Sequence, residues 1–445
     1  MTRITDASVT DLRFPTSRDL DGSDAMNPDP DYSVAYLQLK TGYSEPASHA
    51  FVFTIGRGNS IQVAAVQAVA NRLVGRSVDA VCEDPTAINR ELLWDSQLRW
   101  LGPDKGVIHM AIGAVMNAVW DLRARRESRP LWATLACLEP DEVVALVDWT
   151  YIGDYLDPGR AREILEERRL TRDRRVRDLQ LNGLAAYATT PGWLGYSDDK
   201  LTRLSAKATA DGFGTIKLKV GSDLRQDRHR LALARRVVGE EVGIAVDANQ
   251  RWSVPEAIET IRRFAEFNLS WVEEPTHPDD ILGHARIARA VAPIPVATGE
   301  HLANPTLAKQ LLQAGGAHIL QIDATRVGGV HDLVAMLLLA AHAGVEVMPH
   351  AGGVGLCEAV QHFAFFNAIA IASDHRKLAI EYVEHLHEHM ATPVEVTSGR
   401  YRMPTAPGGG TAFVQAALSA YKYPNGTEWK GTHSSSPKSV FAAGL

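Results

Sequence analysis

TIKLK, residues 215–219, is a short apolar run ending in lysine, and six more runs of the same design follow it. They are IAVDAN, SWVEEP, PVATGE, ILQIDA, VEVMPH and AIEYVE, which carry Asp247, Glu273, Glu300, Asp323, His350 and Glu381. Counted from Lys219, the steps are 28, 26, 27, 23, 27 and 31 residues. Each step holds one strand, one helix and two loops. A polar group delivered at the end of one buried strand after another predicts an α/β barrel with its functional groups at one mouth. The intervening helices are legible too. VPEAIETIRRFAEF places Ala257, Ile258, Ile261 and Phe264 at helical spacing, and HDLVAMLLLAAHAG ends in Gly344, a C-cap residue. AAYATTPGW (185–193) fits as the first strand, although its end carries no acid or base, so the barrel spans 185–400.

Outside the barrel the pattern changes. Residues 1–145 read as an α+β domain: VAYLQLKT and FVFTIG as strands of a meander, then helices over about 62–90 and 106–126. DGSDAMNPDPDY (21–32) is a loop by composition. It is either a disordered surface loop or a lid that brings Asp24, Met26 and Tyr32 over the mouth. Residues 146–184 connect the two parts, and their Arg- and Glu-dense stretch 157–178 predicts one solvated helix. PNGTEW (424–429) carries an Asn-Gly hairpin signal, and THSSSPKSVFAAGL reads as a frayed end.

Bulk properties narrow the class. A net charge of -7 argues against nucleic acid as a partner. The first residues lack the apolar core of a signal peptide, and no run is long enough for a membrane span, so no membrane partner is expected. Cys82, Cys137 and Cys357 are odd in number and far apart, which fits reduced thiols in a cytoplasmic protein.

The ladder also predicts chemistry. Asp247, Glu273 and Glu300 on neighbouring strands form an oxygen-only ligand set, which selects Mg²⁺ or Mn²⁺. Glu273 is preferred over Glu274, and Glu300 over His301, because adjacent strand residues face opposite ways. Lys217 and Lys219 face the same side, and two ammonium groups depress each other's pKa, which suits a general base. Asp323 and His350 on consecutive strands predict a dyad in which the carboxylate fixes the imidazole tautomer. These parts suit abstraction of a proton α to a carboxylate. A second group then decides between reprotonation, which is racemisation, and loss of a β-hydroxyl, which is dehydration. The HLHEH cluster (385–389) invites a zinc reading, but the acids already account for a metal.

With these residues in view, the chain resembles the enolase superfamily, in its mandelate racemase-like branch. The resemblance implies a modified (β/α)7β barrel and a capping domain that residues 401–445 return to complete. RFPTSRDLDGSDAMNPDPDYS, WLGPDKGVIHMAIGA, PGWLGYSDDKL, PHAGGVGLCE and VEHLHEH are similar to the L-fuconate dehydratase group of that branch. That likeness implies a Mg²⁺-dependent acid-sugar dehydratase. Lys219 would take the α-proton, and His350 would protonate the departing 3-hydroxyl. Lys217 would support the substrate carboxylate. Glu381 would face the enolate oxygen or that carboxylate, and Asn249 would hydrogen-bond the substrate. Asp24, Tyr32, Glu384 and His385 would contact the hydroxyl end. The implied partner is a small acid-sugar substrate, and a homo-oligomer is expected.

Overall fold

The computed structural model describes residues 2–42 and 46–430. A three-stranded antiparallel sheet comes first: β1 (Ile4–Arg13), β2 (Ser33–Thr41) and β3 (Ser48–Thr54). β1 was not legible in the sequence, because ITDASVTDLR buries only three of its residues and has no aromatic side chain. Helix Gly106–Arg126 packs on this sheet, over the stretch 106–126 expected to be helical. The stretch expected to be helical over about 62–90 comprises three helices, Asn59–Ala70, Val78–Glu83 and Pro85–Leu93. Pro85 sits at the first turn of the last one, with the Asp84 side chain accepting from the Ala87 amide, so chain breaks are built into the sequence.

Eight parallel strands follow: β4 (Leu184–Gly192), β5 (Thr215–Lys219), β6 (Gly243–Asp247), β7 (Leu269–Glu273), β8 (Val296–Thr298), β9 (Ile319–Leu320), β10 (Glu346–Val347) and β11 (Ala379–Tyr382). Each pairs with the next from β4 to β10, and β11 pairs back to β4. Between β10 and β11 the ring is spanned by the Glu381 amide donating to the Pro349 carbonyl at 3.4 Å. A short hairpin, β12 (Val396–Thr397) and β13 (Arg400–Tyr401), then pairs with the start of β4.

The barrel interior is layered by the two-residue period of its strands. Tyr187, Ala245, Trp271, Ala297 and Ile319 form one apolar layer, with Met348 and Ala379 against it. Two residues further along these strands lie Thr189, Asp247, Glu273, Gln321, His350 and Glu381. The other strand face packs outward, and Ile216, Leu218 and Val220 join the helices in the main core. At Gly192 a Cβ would sit 2.0 Å from the Lys217 carbonyl oxygen, so only glycine lets β4 approach the strand that carries both lysines.

Helix Leu224–Val238 pins the tops of β4 and β5. The buried Arg230 guanidinium donates to the carbonyls of Lys219, Gly192 and Trp193, each at 2.8 Å. Asp227 Oδ2 accepts the Gly221 amide at 2.8 Å, while Oδ1 is buried without a partner. Burial pushes the Asp227 carboxyl up from 3.8 to about 6. A folded-state value above the unfolded one means that stability falls as pH rises through this window, and the loss is complete above it. We therefore expect Asp227→Asn to stabilise the protein above pH 7, by up to about 3 kcal/mol, with no gain at pH 4. Denaturant titrations at the two pH values check this.

The 157–178 stretch is two helices, Pro158–Arg169 and Arg172–Asn182, rather than one solvated helix. Arg175 is buried and donates to the carbonyl of Ala368 in the last turn of helix Leu356–Ala370 and to those of Ala372 and Ser373 just past it. PNGTEW forms successive turns instead of a hairpin. The Gly426 amide bonds Lys422, and those of Trp429 and Lys430 bond Gly426. The Tyr423 amide and the Trp429 indole donate to Asp11 and Arg13 of β1, so this segment lies on the first sheet. THSSSPKSVFAAGL (432–445) lies wholly outside the described residues.

Candidate active site

The mouth is formed where β5 to β11 end. Lys217 and Glu273 are wholly inside it, as are Asp247 and Glu381, while Lys219 and Glu300 are 8% and 9% exposed. Lys217 Nζ is 2.5 Å from Glu273 Oε1 and 2.8 Å from Glu381 Oε1, and Lys219 Nζ is 2.5 Å from Asp247 Oδ2. The lysine expectation is overturned in one respect. Burial pushes both ammonium groups down, but Glu273 and Glu381 hold Lys217, and Asp247 holds Lys219, above the usual lysine range. Contacts this short outweigh both desolvation and the repulsion between the two lysines.

Asp323 and His350 meet as a dyad, with Nδ1 to Oδ2 at 2.8 Å. The other Asp323 oxygen accepts from the Thr325 amide and hydroxyl, which fixes the carboxylate. The remaining imidazole nitrogen, Nε2, points into the mouth, 3.6 Å from Glu300 Oε2. Burial pushes His350 down, but Glu300 and Asp323 outweigh it and raise the imidazole to about 10.

Asp247, Glu273 and Glu300 each offer an oxygen, and these lie within 4.8 Å of one another. Glu300 Oε2 and Asn249 Oδ1 are buried beside them without hydrogen-bond partners. Around this point five carboxylates (Asp247, Glu273, Glu300, Asp323 and Glu381) face three cationic groups (Lys217, Lys219 and His350). The excess of negative charge shows in Glu273. Burial, helped by Asp247 and opposed by Lys217, raises its carboxyl to about 8. Hard oxygen ligands with surplus negative charge fit one divalent cation of the Mg²⁺ type. Mg²⁺ should therefore raise the melting temperature, by the equivalent of about 2.7 kcal/mol at a hundred times its Kd. In Glu300→Gln and Asp247→Asn proteins that shift should largely vanish in a thermal-shift titration.

The choice of Glu273 over Glu274 agrees with this cluster, but strand alternation is not what separates the pair. Glu274 has φ 42° just past β7, which turns its carboxylate toward Gln250 Nε2 at 2.8 Å and His301 Nδ1 at 3.0 Å. Glu300 likewise lies beyond β8, after Gly299 with φ 143°. His301 then sits 3.4 Å from Glu300 on the outer side, so Glu274, Glu300 and His301 form a second group next to the first.

Three residues that sequence reasoning passed over complete the floor. Gln321 Nε2 donates to Glu273 Oε2 at 2.7 Å and to the Tyr187 hydroxyl at 3.2 Å. Thr189 Oγ1 donates to Glu381 at 2.5 Å. The strand without an acid or base thus still serves the site. The two-residue period gave the signal, because Gln321 precedes Asp323 by two and shares its face.

The substrate-side residues divide. Asn249, with φ 43°, holds its amide on Asp247 Oδ1 and leaves its side-chain oxygen free. The 21–32 segment docks as an ordered loop. Ser23 accepts from Leu194 and Gly195, and Asp24 is buried with its carboxylate capping the Met26 and Asn27 amides. Burial pushes Asp24 up, with Lys219 near enough to oppose it. Tyr32 is buried with its ring 5.7 Å from that of His385 and 5.3 Å from that of Phe53. Trp193 meets His385 edge-on at 5.0 Å. Glu384 is not brought to this group. It is exposed and paired with Lys207 on helix Asp198–Ala210. The remaining histidines of HLHEH do not gather around a metal: His387 pairs with Glu358, and His389 stacks on Phe14.

A barrel with lysines on β5, three acids after β6 to β8 and a histidine dyad opposite defines a class of protein, and the chain belongs to the enolase superfamily. Residues 200–417 match the family model described as enolase C-terminal domain-like. The chain is 43% identical over 431 residues to mitochondrial enolase superfamily member 1 of Homo sapiens, covering 96% of this chain and 97% of that one. The crystal structure of that human protein superposes with a TM-score of 0.95, covering 97% and 99% of the two chains. L-galactonate dehydratase of Hypocrea jecorina is 43% identical over 442 residues, covering 98% and 97%. A crystal structure of L-talarate dehydratase from Polaromonas sp. JS666, complexed with Mg and L-glucarate, matches at 26% identity and a TM-score of 0.70, covering 95% and 97%. Among the described residues, no helix is long and apolar enough to cross a membrane.

Proposed function

We propose that this protein is a Mg²⁺-dependent acid-sugar dehydratase that converts L-fuconate to 2-keto-3-deoxy-L-fuconate and water. The observation that carries the reading is the placement of two acid/base groups, Lys219 and His350, on opposite flanks of the Asp247, Glu273 and Glu300 cluster. Asp247, Glu273 and Glu300 would hold a divalent cation, which would supply positive charge beside the substrate carboxylate. Lys217 supplies a fixed second charge from the barrel floor, and Asn249 offers its unpartnered side-chain oxygen to the substrate. Lys219 takes the proton from C2 as the neutral amine, a form that a cation drawing Asp247 away from the ammonium would favour. His350, held in one tautomer by Asp323, passes its Nε2 proton to the 3-hydroxyl, which leaves as water. The enol so formed rearranges to the 2-keto-3-deoxy acid.

The loop likeness to L-fuconate dehydratases supports this substrate. The L-galactonate dehydratase relative favours a second one, because L-galactonate differs from L-fuconate by a terminal hydroxyl. Three cysteines far apart in the sequence accord with a reducing compartment, and we assign the protein to the cytoplasm, as a homo-oligomer. The test is incubation with Mg²⁺ and each acid, assayed for a 2-keto acid and for epimerised starting material. Keto acid from L-fuconate supports the proposal. Epimer without keto acid would make the protein a racemase, and binding without either product would make it a sugar-acid-binding protein.

A further inference from the structure

Past β11 the chain makes a tight turn over the mouth, and its anchoring is unusual. His387 Nδ1 lies 2.7 Å from Glu358 Oε1, and Nε2 lies 2.7 Å from the Val383 carbonyl. A ring between a carboxylate and a carbonyl donates from both nitrogens, so it is an imidazolium. Glu358 is wholly buried in the first turn of helix Leu356–Ala370 and also accepts the Val394 amide at 3.3 Å. The bond from His387 back to Val383 closes a five-residue loop in which Leu386 has φ 69°. At its other end, the Glu384 amide donates to Thr190 Oγ1 at 2.7 Å. Tyr382 stacks on the His387 ring at 5.4 Å.

His385 is carried at the centre of this closed loop. Both its ring nitrogens are shut off from solvent, and neither has a hydrogen-bond partner. The ring is wedged between Tyr32 and Trp193. A buried imidazole with one donor and one acceptor left over is costly unless a ligand satisfies it. Vicinal hydroxyls of a sugar chain provide one acceptor and one donor.

We propose that the Glu358–His387 pair is a positioning device that fixes His385 against the hydroxyl-bearing end of the substrate. The inference rests on the substrate reading above. Neither Glu358 nor His387 touches the substrate, since both act through the loop they close. The pair is fixed by burial and by two hydrogen bonds at one ring, which hold the five residues 383–387 where His387 opens the single helical turn His387–His389. It sets the grip on the sugar chain, while Lys219 and His350 set the chemistry at C2 and C3.

The test uses the full-length Mg²⁺-loaded protein with His387→Gln, the near-isosteric Glu358→Gln, and His385→Ala. His387→Gln and Glu358→Gln should each raise KM for L-fuconate about tenfold while changing kcat less than about twofold. His385→Ala should raise KM by a similar factor, and adding His387→Gln to it should raise KM no further. An additive increase, or an unchanged KM in either folded single variant, overturns the proposal. If the wild-type protein leaves L-fuconate unreacted, the substrate reading fails on its own. The positioning claim is then decided by hydrogen–deuterium exchange of ligand-free protein. Faster exchange confined to residues 383–390 in His387→Gln upholds it, and unchanged exchange there overturns it.

Discussion

Lys219→Ala protein is expected to leave L-fuconate untouched, with kcat down by on the order of 10³ to 10⁴. In D₂O it should also fail to exchange the C2 proton, because the group that removes that proton is gone. Lys217 cannot take over. It lies on the same strand face but is held by Glu273 and Glu381 in the floor, with no exposed surface. The fold should survive, since Lys219 is in the mouth and its removal frees Asp247 of a short ion pair. Response to Mg²⁺ in a thermal-shift titration should persist or strengthen, which separates lost chemistry from lost structure. Turnover within tenfold of wild type would sink the assignment of Lys219 as the base.

His350→Asn should separate the two halves of the reaction. Asparagine keeps a donor toward Asp323 but has no proton to give at the position of Nε2. Formation of keto acid should fall by about 10² to 10⁴. Exchange of the C2 proton for deuterium should continue, because Lys219 is intact. Recovered L-fuconate carrying deuterium at C2, measured by NMR, is the expected signature. Loss of exchange together with loss of keto acid would mean that His350 also serves the first step. Glu300 and Asp323 raise the imidazole, which favours the protonated form that an acid needs.

Much of this was legible in the sequence because of how a barrel is coded. Buried parallel strands read as apolar runs, and the chain must return by a helix each time, so the period survives in the residue count. Asp247, Glu273 and His350 were found by that arithmetic alone. What escaped depends on contacts between distant segments. The pKa direction of the lysines turned on how closely Asp247, Glu273 and Glu381 approach them, which spacing does not encode. Arg175 looked solvated because its neighbours are charged, yet the carbonyls it satisfies lie almost two hundred residues away. Glu384 follows the strand as closely as His385 does, but Lys207 draws it outward. The Asn-Gly pair at 425–426 is a turn signal that the chain uses, though no strands flank it to make a hairpin.

The join between β10 and β11 has a consequence of its own. The Glu381 amide crosses it to the Pro349 carbonyl, and the Glu381 carboxylate adds a link by accepting the Ala351 amide at 2.8 Å, while its other oxygen holds Lys217 and Thr189. The carboxylate is therefore a clasp on the ring as well as a part of the site. Residues with such double duty cannot drift one at a time, since a change that suits a new substrate also loosens the closure. The 21–32 loop and the 383–387 turn carry no such burden. Divergence of specificity among relatives should accumulate in those two segments and spare the seam.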